Sequence, residues 1–164
     1  MSVSAEILCT YVDYTAWASL HLLNAAAQLT PDELTRDFGT ADGSVLGTLA
    51  HIFAGDRLWL ARLTAALTPA FITDADRDLT ALQNSWPALL EHWKTWAAEL
   101  TDEQVLAPIA YHDLKGRPWQ RPLWQLVLHV VNHGTHHRGQ VSGFLRSLGY
   151  TPPPVDLIYY YRQP

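Results

Sequence analysis

A helical repeat of apolar residues from about Leu123 to Leu148 constrains this chain more than any other feature. With His133 at zero on a helical wheel, Leu126, Val130, Val141, Phe144, Leu145 and Leu148 fall between roughly +20° and +120°. One stripe of a long helix must therefore be buried against other elements. Pro122 suits the helix start, and Gly149 supplies the stop. Within this repeat, "HVVNHGTHHRGQ" places four of the chain's eight histidines in nine residues.

The remaining chain reads as three more helices and one irregular stretch. The first is expected from about Ala5 to Leu29, with Leu8, Val12, Leu20, Leu23 and Ala27 at helical spacing. The second starts at a Ser44 cap and runs to about Leu67. The third covers roughly Asp76 to Leu100, where Pro87 is expected to kink or split it. From Leu106 to Pro122, two short apolar–polar runs around Lys115-Gly116 predict a small hairpin or extended loop. "YTPPPVDLIYYYRQP" reads as an extended tail whose three tyrosines pack on the bundle. Helices joined by short connections favour an antiparallel bundle, and no linker or repeat divides residues 1–164, so one helical domain is expected.

Composition narrows the function classes. At 164 residues, 48% hydrophobic and 16% charged, the chain can bury a real core. Lys and Arg total 11 against 16 acidic residues, a net charge of −5, so no basic face for nucleic acid is expected. No run of eighteen apolar residues suggests a membrane span, and the N-terminus lacks a secretory pattern. A single cysteine, Cys9, allows neither an internal disulfide nor a Cys-rich zinc site. The expectation is a cytoplasmic protein. Cys9 has no evident neighbouring base and is not assigned as a nucleophile.

The four histidines of the last helix are not equivalent. His137 falls near +40°, inside the buried stripe, and His133 sits at its edge, while His129 and His136 point away at roughly −40° and −60°. His133 and His137 form an i, i+4 pair whose imidazoles can converge on one divalent ion. His129 is about 12 Å from His137 along the axis, too far to share that ion. A third ligand must come from His21, His51, His92 or His112. His51 lies beside the apolar stripe of the second helix and is a reasonable choice, with His21 and His92 next. Gly134 stands where an H-E-x-x-H protease would carry its general base, so protease chemistry is not expected.

The wheels also turn two charges inward, Asp56 on the second helix and Arg138 on the last. A buried isolated charge is expensive, so an Asp56–Arg138 ion pair fixing the register of the two helices is expected.

"HVVNHGTHHRGQVSGFLRSLG" together with "GTLAHIFAGDRLWLARL" resembles the DinB/YfiT-like superfamily. So do the order of segments and the aromatic-rich "YVDYTAWASLHLLNAA", and the resemblance covers most of the chain. It implies an all-α, up–down–down–up four-helix bundle with a divalent ion, zinc or nickel, held by His51, His133 and His137. It implies a homodimer, with the exposed faces of the first two helices as candidate interface. It also implies a metal-dependent enzyme of stress or detoxification metabolism, a thiol-S-transferase or hydrolase acting on a small molecule such as a low-molecular-weight thiol. Trp17, Trp59, Trp119 and the Tyr159–Tyr161 run are candidate pocket walls. The rival readings are a non-catalytic dimeric metal- or small-ligand-binding module, and a bundle whose histidines only pack.

Overall fold

The computed structural model describes residues 3–66 and 68–162. It contains α1 (Ala5–Ala26), α2 (Pro31–Thr35), α3 (Val45–Leu63), α4 (Leu79–Ala98), α5 (Asp102–Leu106), β1 (Pro108–His112), β2 (Pro118–Pro122), α6 (Leu123–Ser147) and α7 (Leu157–Tyr160). A 3-10 turn at Asp74–Asp76 precedes α4.

Local chemistry sets the helix boundaries. Ser44 caps α3 as expected, its Oγ accepting from the Gly47 N–H at 3.0 Å. The helix ends at Leu63, short of the expected Leu67, which lies outside the described residues, and Ala65 adopts φ 53°. α1 stops three residues short of Leu29, before the capping box of Thr30 and Glu33 that opens α2. α4 begins after Asp78, whose carboxylate accepts from the Ala81 N–H at 2.7 Å. Pro87 neither ends nor splits it. The carbonyl that Pro87 deprives of a partner belongs to exposed Gln83, where solvent can satisfy it.

Two apolar clusters give the directions of the four long helices. Leu22, Leu23, Val45, Leu49, Leu82, Trp86, Phe144 and Leu145 share one end. Leu8, Val12, Leu60, Trp93, Ala97, Leu123 and Val127 share the other. α1 and α6 therefore run together, α3 and α4 run against them, and the bundle is up–down–down–up. β1 and β2 pair antiparallel, with Pro108 opposite Pro122 and His112 opposite Pro118, ahead of α6. No helix among the described residues is long and apolar enough to cross a membrane.

The charged layer expected between α3 and α6 exists, but not as an ion pair. Asp56 and Arg138 are 2% and 1% exposed. Asp56 Oδ2 accepts from the Trp86 indole at 2.9 Å, and its main-chain carbonyl accepts from Trp93 at 3.0 Å, so it is anchored to α4. Arg138 turns the other way. It donates to Ser19 Oγ at 3.3 Å and Thr135 Oγ1 at 3.0 Å, and lies over the Tyr14 ring at 5.4 Å. A Cβ on Gly134 would stand 2.7 Å from Arg138 Nη1, so that glycine clears its path. The helical wheel shows that both residues face inward but not which neighbour each chooses. Burial raises the Asp56 carboxyl to about 7, against the Trp86 hydrogen bond and the Arg138 charge.

The tail departs from expectation in part. It stays irregular through the proline run and then forms α7, where Tyr160 packs on Trp17 and Tyr14 at centroid distances of 5.7 and 5.9 Å. Tyr159 and Tyr161 remain exposed rather than packing.

Candidate metal centre

α3 and α6 bring His51, His133 and His137 together. One ring nitrogen from each lies within 4.8 Å of the others. His51 Nε2 and His133 Nε2 are 2.9 Å apart, and the His137 ring centre lies 4.4 and 4.5 Å from those of His51 and His133. The i, i+4 spacing stacks the α6 pair on one face. Gly55, one turn after His51 on α3, faces them. A Cβ there would approach His133 Cε1 to 3.2 Å, so the glycine makes room for the imidazole.

The outward nitrogens are held by other groups. Asp42 Oδ1 lies 3.3 Å from His51 Nδ1, and Gln140 Oε1 lies 2.7 Å from His137 Nδ1. Such partners help fix ring orientation, and Nε2 of His51 faces Nε2 of His133. Asp42 sits in the loop before α3, which folds tightly against the helix start: Ser44 N–H donates to the Asp42 carbonyl at 2.8 Å, and a Cβ on Gly47 would collide with that carbonyl. Gln140, three residues from His137, was within reach of helical spacing. Asp42 was not, because its approach depends on how the loop closes.

The surroundings of His51 and His133 favour the neutral imidazole, the form that binds a metal. Burial pushes His133 down to about 3, with further lowering from His137, His51, His129 and His136. His51 is lowered chiefly by burial and also by His137, while Asp42 opposes the shift. On the loop after α3, Phe71 sets its ring edge-on to His51 at 5.3 Å. Arg57 secures that loop through Asp76, at 2.8 and 2.9 Å, and the Ala70 carbonyl at 3.2 Å. Phe71 had no signature in the sequence.

The donor set fits a divalent ion: three imidazole nitrogens converge, and two of the rings are contacted from behind. Asp42 faces Nδ1 of two of the rings, His51 at 3.3 Å and His137 at 3.8 Å. No carboxylate joins the three histidines in the cluster among the described residues.

The other histidines lie elsewhere. His129 and His136 are exposed as expected, with ring centres 6.0 Å from His133 and 4.9 Å from His137 respectively. His21 is exposed beside the Trp17 carbonyl, and His92 and His112 are exposed on α4 and β1. Burial and Asp13 raise the Cys9 thiol, the wrong direction for a thiolate nucleophile. Of the candidate pocket walls, Trp59 approaches the cluster, through His129 at 5.2 Å. Trp17 packs beneath α7, and Trp119 lies on the hairpin beside Asp113.

Comparison with known proteins agrees with this architecture. The DinB family profile matches residues 1–163. Protein DinB of Bacillus subtilis is 22% identical over 152 residues, covering 88% of this chain and 87% of that protein. The crystal structure of a DinB-like protein from Bacillus cereus superposes with a TM-score of 0.62 at 20% identity, covering 95% of this chain and all of that one. The match over nearly the whole sequence, with the shared bundle, establishes that this chain belongs to the DinB family.

Proposed function

We propose that this protein binds a divalent metal ion, zinc or nickel, through His51, His133 and His137, and uses it as a metal-dependent enzyme. The observation that carries the reading is the convergence of three imidazoles with no carboxylate among them, which leaves room for a small molecule to coordinate. An ion bound by three neutral ligands keeps its charge and supplies Lewis acidity that makes a thiol or water a better nucleophile near neutral pH. The protein's own residues orient and shield: Asp42 and Gln140 hold the rings, Gly55 admits His133, and Phe71 covers one side of His51.

Thiol transfer is the preferred reaction, with hydrolysis second, and a homodimer is the proposed assembly. The test is to load the protein with zinc or nickel and assay a low-molecular-weight thiol with chlorodinitrobenzene, following thioether formation and chloride release. Turnover that disappears in His133→Ala supports an enzyme. Stoichiometric metal without turnover of thiol or ester substrates favours the non-catalytic binding module.

A further inference from the structure

A series of ring contacts runs along α3 and α6 from the three histidines to Arg62, which has no hydrogen-bond acceptor among the described residues. On α3, His51, Gly55 and Arg62 fall within roughly 40° on the helical wheel, so they share one face of the helix. On antiparallel α6, His137, His133 and His129 follow one another by single turns. Arg62 stacks over Trp59 at 4.8 Å and lies 5.7 Å from the Tyr111 ring of β1. Trp59 touches His129 edge-on, and His129 is next to His133. Metal site, His129, Trp59 and Arg62 thus form one continuous series.

Among the described residues no carboxylate or carbonyl accepts a hydrogen bond from Arg62. The nearby Asp113 is engaged by Arg117 at 2.7 Å and by the Trp119 indole at 3.2 Å. A cation in the last turn of a helix can serve the helix dipole. Arg62 instead stacks on two rings and lines a cleft of about 400 Å³ with Leu58, Pro69, Ala110, Tyr111 and the already engaged Asp113. Aromatic walls fix the plane of a guanidinium while leaving its N–H edge available, which suits two-point binding of a planar or tetrahedral anion.

We infer that the substrate is an anion, its carboxylate or phosphate bound by Arg62 beside His129, with its reacting group at His51, His133 and His137. The inference rests on the proposed metal site for the reacting end only. Gly55, opposite His133, and Arg62 are seven residues apart, so the two ends of the substrate are separated by roughly 10 Å.

A pair of probes differing only at the far end tests this: ω-mercaptooctanoate and ω-mercaptooctanol. Binding to cobalt-loaded protein is read from the thiolate–cobalt absorption band. Binding near Arg62 is read from the NMR signals of the Trp59 indole N–H and the Arg62 Nε–H, with and without metal. The acid should bind at least about tenfold more tightly than the alcohol, and salt should reduce that advantage. Arg62→Gln should remove the preference while keeping the metal content and the alcohol's affinity. Equal affinities in the wild type, or a preference that survives in Arg62→Gln, would overturn the proposal. Absence of the absorption band with both probes would count against the metal site alone, and the acid–alcohol difference in the NMR signals would still decide the anion site.

Discussion

His51 Nε2 and His133 Nε2 meet at 2.9 Å across the α3–α6 interface, although 82 residues separate them in the chain. Burial shifts both rings towards the neutral form. A divalent ion bound there would be held by these two rings together with His137. Acidification must charge the same rings before they let go of it, so metal affinity falls as pH drops.

Asp42 lies beside two of the three rings, with Oδ1 3.3 Å from His51 Nδ1 and Oδ2 3.8 Å from His137 Nδ1. Asp42→Asn weakens the orienting contact at Nδ1 without touching a ligand atom. Metal affinity should drop about 10–100-fold by chelator competition, with the melting temperature of the metal-free protein little changed. Unchanged affinity would show that Asp42 merely lies near the ring.

Gly55→Ala separates folding from binding. Alanine stabilises a helix interior by about 1 kcal/mol relative to glycine. Its Cβ would nevertheless crowd His133, at 3.2 Å from Cε1. The metal-free variant should melt no lower than wild type and bind zinc or nickel more weakly. Full affinity together with higher stability would mean that the imidazole moves aside freely.

Asp56 predicts a pH dependence of stability. Its carboxyl is raised to about 7 in the folded state, against about 3.9 in an unfolded chain. The folded state therefore holds the proton more tightly. The stabilisation is complete below the unfolded value and is lost as pH rises through the folded one, by up to about 1.4 kcal/mol per pH unit. Denaturant melts in chelator should show Asp56→Asn gaining on wild type between pH 5 and 7. Parallel pH profiles for the two proteins would refute the shift.

Much of this architecture is legible in local sequence. The apolar stripe of α6, the Ser44 cap and the turn at Lys115-Gly116 each depend on residues close in the chain, and each appears where spacing places it. The His133–His137 pair is readable for the same reason. The short helices α2 and α5 also carried a signal, the Thr30–Glu33 and Thr101–Gln104 capping boxes. Asp42, Phe71 and the separate partners of Asp56 and Arg138 were not legible. Loop closure and the choice among inward neighbours decide them, and neither has a helical period. His51 lay between: its wheel position allowed a ligand role, and only the packing of α3 on α6 brings its ring to the α6 pair.

The central claim is that three histidines hold one metal ion. Elemental analysis of the untagged protein, beside a His133→Ala/His137→Ala variant and a His129→Ala variant, tests it most directly. Near-stoichiometric zinc or nickel in wild type and His129→Ala, and none in the double variant, is the predicted result. No metal in any of the three after incubation with zinc and nickel, or equal loss in His129→Ala, would contradict it.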